Sequence, residues 1–272
     1  MKRMDMHMHS IASDGCKNND QLIIELMAKD ISLFALTDHD TFEGVEEMVY
    51  KAKKAGLTCL PGVEVSSTYD GMEFHLLVYN FDKNNKAFRD LLQDNLRTRQ
   101  AYDVDLIEGL IAADTPRVSR QAYDAFEDDP YQGGWRSINY LKSIGLVVEF
   151  PDYLNLCHCI PPMKFHNPQR VIQVAHQAGG TVVLAHPSSN QPGGLNNRIL
   201  DDFIAYGLDG IECYSQYHKT PEEVKYYLDY CKKHDLLVSG GSDYHGGYTG
   251  RRLGHPEVTS ETADYEAFMA LT

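Results

Sequence analysis

Apolar and polar positions along this chain fall into two alternating rhythms. Short apolar runs of strand length are separated by longer segments of helical period, which predicts an α/β fold with a mainly parallel sheet. A first strand is predicted over residues 2–8. A helix over 20–30 follows, capped by Asn18 or Asn19, with Leu22, Ile23, Leu26 and Met27 on one face. Strands are predicted at 33–37 and 57–65, flanking a helix over 43–55 that Gly56 ends. Asp40 or Thr41 is the expected cap of that helix. Asp70-Gly71 is a tight-turn signal, so 72–79 should return as an antiparallel partner. Residues 84–112 are polar and periodic, as in one long helix or a helix pair.

The rhythm breaks over 113–165, where Pro116, Glu127-Asp128-Asp129, Gly133-Gly134 and Pro161-Pro162 surround one short helix at 137–144. This stretch is expected to be an inserted helical lid, with 1–112 and 166–272 forming the main domain. Alternation then resumes. Helices are predicted from Asn167-Pro168 to 178, over 195–206, from Thr220-Pro221 to 233, and over 260–270. Between them lie strands at 181–185, 210–214 and 236–240.

The chain has 272 residues, a length that one α/β barrel accommodates. No stretch approaches the ~20 apolar residues of a membrane span. MKRMDMHMHS has two basic residues but no apolar run behind them, which is not the pattern of a secretory signal. Cys16, Cys59, Cys157, Cys159, Cys213 and Cys231 form no disulfide framework, so free thiols and a cytoplasmic setting are expected. Cys157-His158-Cys159 has the look of a metal tract but stands without a second pair. A net charge of −14 disfavours a protein that tracks long nucleic acid.

Candidate chemistry collects where the strands end. In an α/β barrel such positions share one mouth. His7 and His9 are two residues apart in the first strand and so lie on one face. Asp14 follows in Ser13-Asp14-Gly15, where turn formation is the bland alternative. His39 lies in Thr37-Asp38-His39-Asp40, directly after an apolar strand. Glu64 sits between Val63 and Val65, where an unpaired carboxylate would be costly to bury. His75 is in the returning strand, His186 precedes Pro187, and Asp243 and His245 lie between Gly241 and Gly246. Nine such ligands are too many for one tetrahedral ion, and mixed His and carboxylate donors suit Zn²⁺, Mn²⁺ or Fe²⁺. Two or three divalent ions are therefore expected. His158, His166, His176, His234 and His255 have no partners nearby in sequence, whereas His218 follows the strand at 210–214 and so falls at the same mouth.

The series Asp5-Met6-His7-Met8-His9-Ser10, Ser13-Asp14-Gly15, Thr37-Asp38-His39-Asp40-Thr41, Pro61-Gly62-Val63-Glu64, His75-Leu76-Leu77, Ala185-His186-Pro187 and Gly241-Ser242-Asp243-Tyr244-His245-Gly246 resembles the PHP family, named for its polymerase-associated and histidinol-phosphatase members. The resemblance implies a distorted seven-stranded β/α barrel with a trinuclear metal site. It would assign His7, His9, Glu64 and Asp243 to one ion, Glu64, His75 and His186 to a second, and Asp14, His39 and His245 to a third. Within the family the chain looks most like stand-alone bacterial phosphoesterases acting on nucleotides. That branch usually carries an Arg-Pro-His segment in the insert; here Gly133-Gly134-Trp135-Arg136 takes its place.

The expected function is hydrolysis of a phosphate ester of a small molecule, a nucleotide first among them. The attacking group would be a metal-bound hydroxide held by Glu64, Asp243 and His245, with Arg136 and His218 contacting substrate. A histidinol-phosphate phosphatase, a nuclease, or a non-catalytic metal-binding module are the alternatives. Nothing in the sequence indicates the oligomeric state.

Overall fold

The computed structural model describes residues 1–189, 191 and 195–272. Its sheet holds β1 (Arg3–Asp5), β2 (Ile31–Leu36), β3 (Thr58–Tyr69), β4 (Met72–Tyr79), β5 (Thr181–Leu184), β6 (Gly210–Tyr214), β7 (Leu237–Gly240) and β8 (Val258–Thr259). The order is β7-β6-β5-β4-β3-β2-β1-β8. Neighbours β1 to β3 are parallel, β4 runs antiparallel to both β3 and β5, and β5 to β7 are parallel again. The sheet curls until its ends meet: just past β1, the Met6 N–H donates to the carbonyl of Gly240 at the end of β7, at 3.1 Å. The result is a nearly closed α/β barrel of the expected seven strands. The two-residue β8, antiparallel to β1, was not legible in the sequence because so short a strand carries no alternation.

Strand residues face two cores in turn. Leu33, Ala35, Leu77, Tyr79 and Val183 fill the barrel with Met4 and Met6. Phe34 and Leu36 point outward to α1 (Asn19–Ala28) and α2 (Val45–Lys54). Leu76, Val78, Val182 and Leu184 point outward to α3 (Lys86–Ala112), α7 (Pro168–Gln177), α8 (Asn197–Ala205) and α9 (Pro221–His234). Burial on both faces is why these strands read as continuous apolar runs.

Caps account for several helix starts. Asn18 forms a capping box with Gln21 for α1, Asn167 caps α7 ahead of Pro168, and Thr220 forms a box with Glu223 for α9. For α2 the expected cap is corrected. The helix starts at Val45, after Gly44, with no side-chain cap. Asp40, in a left-handed conformation, instead turns inward and accepts from the Ser66 N–H and the Asn95 side chain. The predicted last helix is shorter than expected: α10 covers Tyr265–Met269, because Thr259 and Thr262 spend the preceding residues in a turn.

The segment over 113–165 contributes α4 (Arg120–Asp124), α5 (Arg136–Ser143) and α6 (Phe150–Cys157). Tyr123, Ile138, Leu141 and Tyr153 from these pack with Leu106, Ile107 and Leu110 of α3. Thus α3 starts against the barrel, through Phe88, Leu91 and Leu92, and ends inside a second apolar cluster. Among the described residues, no helix is long and apolar enough to cross a membrane.

Candidate metal centre

All nine sequence-derived ligands converge at one end of the barrel. Glu64 lies at the centre, fully buried on β3. Its Oε2 faces His7 Nε2 and His9 Nε2, each at 3.1 Å, and His39 Nδ1 at 3.3 Å. Its Oε1 faces His75 Nδ1 at 2.9 Å and His186 Nε2 at 3.0 Å. Asp243 Oδ1 stands 3.0 Å from His9 Nε2 and 3.4 Å from His7 Nε2. Asp14 and His245 meet at 3.3 Å, with His39 Nε2 3.9 Å from Asp14. Three groupings of metal-ligand type emerge: His7, His9, Glu64 and Asp243; His9, Asp14, His39 and His245; and His39, Glu64 and His75. His186, 3.3 Å from His75, adjoins the last.

The chemistry of this donor set fits metal ions. His7 Nε2, His9 Nε2, His39 Nδ1 and Glu64 Oε2 are buried without a hydrogen-bond partner. Each such orphan costs about 1–3 kcal/mol, and a cation among them removes the cost. In three of the histidines the opposite ring nitrogen is occupied. His7 Nδ1 lies 3.0 Å from Glu212 Oε1, His75 Nε2 lies 3.0 Å from Glu73 Oε1, and His186 Nδ1 lies 3.0 Å from Ser189 Oγ. A proton held on those nitrogens leaves the inward ones as lone-pair donors. Burial alone would raise the Glu64 carboxyl, yet His7, His39 and His75 around it hold it well below the usual carboxylate range. The same holds for Asp243, where His7 and Arg251 outweigh burial.

The backbone is shaped to this purpose. Asp243 and His186 both adopt positive φ, 48° and 25°, conformations that non-glycine residues hold only where surroundings enforce them. Gly241 allows the end of β7 to press on the end of β1. A Cβ there would lie 2.4 Å from that of His7. Asp5 accepts from the Ser242 and Gly254 N–H groups, and Asp38 accepts from the backbone and hydroxyl of Ser10 and from Ser13.

Seven of the nine candidate ligands, all but the fully buried His7 and His9, line a cleft of about 630 Å³. Its wall carries two arginines that sequence reasoning did not single out. Arg99 on α3 donates to Ser66 Oγ at 2.8 Å and Glu73 at 3.3 Å, and its guanidinium stacks 4.5 Å from the Trp135 ring. Arg251 donates to Asp243 Oδ2 at 2.7 Å and also to the Tyr217 hydroxyl. The two substrate contacts expected from sequence sit elsewhere. Arg136 does not line the cleft; it donates to the carbonyls of Tyr123 at 2.9 Å and Phe126 at 2.6 Å. Gly133-Gly134, where the Arg-Pro-His segment was expected, packs against Tyr248, and the Gly134 N–H donates to the Asp14 carbonyl at 2.7 Å. His218 stacks on Tyr227 behind the cleft, its Nδ1 2.7 Å from the Cys213 carbonyl, and burial lowers its pKa. Cys157 borders the cleft, but the described residues place it in no metal-ligand group. Glu212 was also missed, although a carboxylate inside the apolar run Gly-Ile-Glu-Cys-Tyr gives the same signal as Glu64.

Comparison with known proteins agrees with this geometry. The PHP domain matches residues 5–132. A 5′-3′ exoribonuclease of Haemophilus influenzae is 30% identical over 250 residues, covering 90% of each chain. A 3′,5′-nucleoside bisphosphate phosphatase of Chromobacterium violaceum is 29% identical over 272 residues, covering 94% of this chain and 92% of its own. A solved Bifidobacterium adolescentis structure, classed by inference as a metal-dependent phosphoesterase, superposes with a TM-score of 0.85 at 25% identity over 99% of this chain and 96% of that one. Fold, site and relatives together define a hydrolase, a metal-dependent phosphoesterase. The chain belongs to the PHP family.

Proposed function

We propose that the chain hydrolyses a phosphate ester of a small molecule, with a nucleotide as substrate, and that the nine converging side chains are its metal ligands. The observation that carries this is Glu64, whose two oxygens each face a different set of histidines from one buried position. Divalent ions bound there supply Lewis acidity, making water a nucleophile at neutral pH and offsetting charge on the phosphoryl oxygens.

The chain's own residues do the rest. Glu64, Asp243 and His245 fix the floor on which the phosphate settles, and Arg251, held by Asp243 and Tyr217, presents a cation at its edge. Arg99 does the same from the α3 side. An arginine fork matches phosphate oxygens two at a time. The placement of Arg99 and Arg251 on the cleft favours them over Arg136 for this work. Trp135 and Tyr217 wall the cleft.

The test is metal removal. Exhaustive chelation should abolish hydrolysis of p-nitrophenyl phosphate and of nucleoside mono- and bisphosphates, and lower the melting temperature. Mn²⁺, Fe²⁺ or Zn²⁺ should restore both. A short oligoribonucleotide with a 5′-phosphate belongs in the panel, because relatives are named as exoribonucleases. Turnover that survives complete loss of metal would refute the proposal.

A further inference from the structure

Apart from Trp135, the lid half of the cleft takes no part in the machinery above. There α3 presents Tyr102 and Asp103, and the lid adds Trp135, Ile138, Tyr153 and Leu154. The wall is aromatic and apolar, and among the described lining residues of this half Asp103 is the one charged side chain. Asp103 is 8% exposed, and burial lifts its carboxyl to about 6, so it is an ionised acceptor at neutral pH. The Ser137 hydroxyl donates to Oδ1 at 2.5 Å, and the Tyr153 hydroxyl lies 2.8 Å from that of Ser137. Ser137 also approaches through its backbone N–H, so Asp103 braces the start of α5, which has no side-chain cap of its own. A carboxylate accepts about four hydrogen bonds, which leaves Asp103 capacity toward the cleft it borders.

We propose that Asp103 is a specificity-determining residue for the group esterified to the phosphate: it accepts a hydrogen bond from an uncharged N–H or O–H donor and rejects a second phosphate at that wall. This rests on the function proposed above. Of the cations lining the cleft, Arg251 sits at the metal end on Asp243, and Arg99 is held by Glu73 between that end and the ring of Trp135. A second phosphate beside Asp103 would meet like charge there, which Arg99, one turn away on α3 and already held by Glu73, offsets only in part. A planar donor-bearing group, by contrast, finds aromatic faces in Trp135, Tyr102 and Tyr153. The donor is a base N–H or a sugar hydroxyl, and substrate analogues tell these apart.

The experiment compares kcat/KM of the metal-loaded full chain and its Asp103→Asn variant. Substrates are a nucleoside 5′-monophosphate, its 2′-deoxy and base-N-methylated analogues, a 3′,5′-bisphosphate, and p-nitrophenyl phosphate, which has no donor. The variant should lose about ten-fold or more on the monophosphate, chiefly through KM, the scale of one charge-assisted hydrogen bond. It should be unchanged on p-nitrophenyl phosphate and should discriminate less against the bisphosphate. On the unmodified chain, whichever analogue lacks the recognised donor should lose a similar factor. A brace for α5 alone would lower all substrates together, and that result overturns the assignment. Should the variant not fold, the unmodified chain decides: equal efficiency across all analogues overturns the assignment by itself. Failure to hydrolyse any phosphoester instead overturns the proposed function, and this inference with it.

Discussion

A carboxylate between Val63 and Val65 would cost several kcal/mol if buried unpaired, and Glu64 is fully buried. The sequence therefore announces that something cationic must reach it. Glu64→Gln removes the charge while keeping the shape. It should release at least one metal per chain by elemental analysis and lower activity by orders of magnitude; full metal content with near-normal turnover would contradict a shared ligand. Glu212 is the quieter case. One oxygen faces His7 Nδ1 at 3.0 Å and the other accepts from the His186 backbone N–H at 2.7 Å, so one side chain orients two histidines. Glu212→Gln should weaken metal affinity by about 10–100-fold, the usual scale for such outer partners. Titration of the apoprotein measures it, and unaltered affinity would reduce Glu212 to packing. Most of the candidate ligands were legible because they interrupt or end an apolar strand, as Glu64 does inside β3 and His186 does after β5. Arg99 was not, since α3 carries three arginines, Arg89, Arg97 and Arg99, and nothing in its periodicity marks the one turned inward.

At the scale of elements, α3 joins the two halves of the cleft by carrying Arg99 and Asp103 one turn apart. Its length was legible, but not its two environments, because the apolar residues of its second half meet partners that are close only after folding. Asp103 gives this helix a pH signature. In the folded chain its carboxyl holds a proton up to about 6, against 3.8 for the ordinary group. The folded state therefore binds more protons across that window, and stability falls as pH rises through it and stays lower above. About two pKa units correspond to roughly 3 kcal/mol. Denaturant unfolding of chelated protein at pH 4 and pH 7 should show Asp103→Asn losing less stability between the two than the unmodified chain, by an amount of that order. Identical pH dependence of the two would show that burial does not penalise this charge.

At the scale of the whole molecule, the alternation of strand and helix pointed to an α/β fold with a mainly parallel sheet, and the resemblance carried by the motif series implied the barrel and its working end. The hairpin at Asp70-Gly71 was legible as well, with Met72 paired to Tyr69. What escaped was where the barrel closes, which depends on contacts between residues far apart in the chain. The first and last barrel strands meet where Met6 binds Gly240, and His7 and His9 face Asp243 across that seam. This has a consequence for timing. A chain being synthesised from its N-terminus exposes His7 and His9 early, but the carboxylate and imidazole opposite them arrive only with residues 243 and 245. Until then the cluster lacks one side. The groupings that include Asp243 and His245 are therefore completed only after nearly the whole barrel has been synthesised, whereas that of His39, Glu64 and His75 needs only its first third.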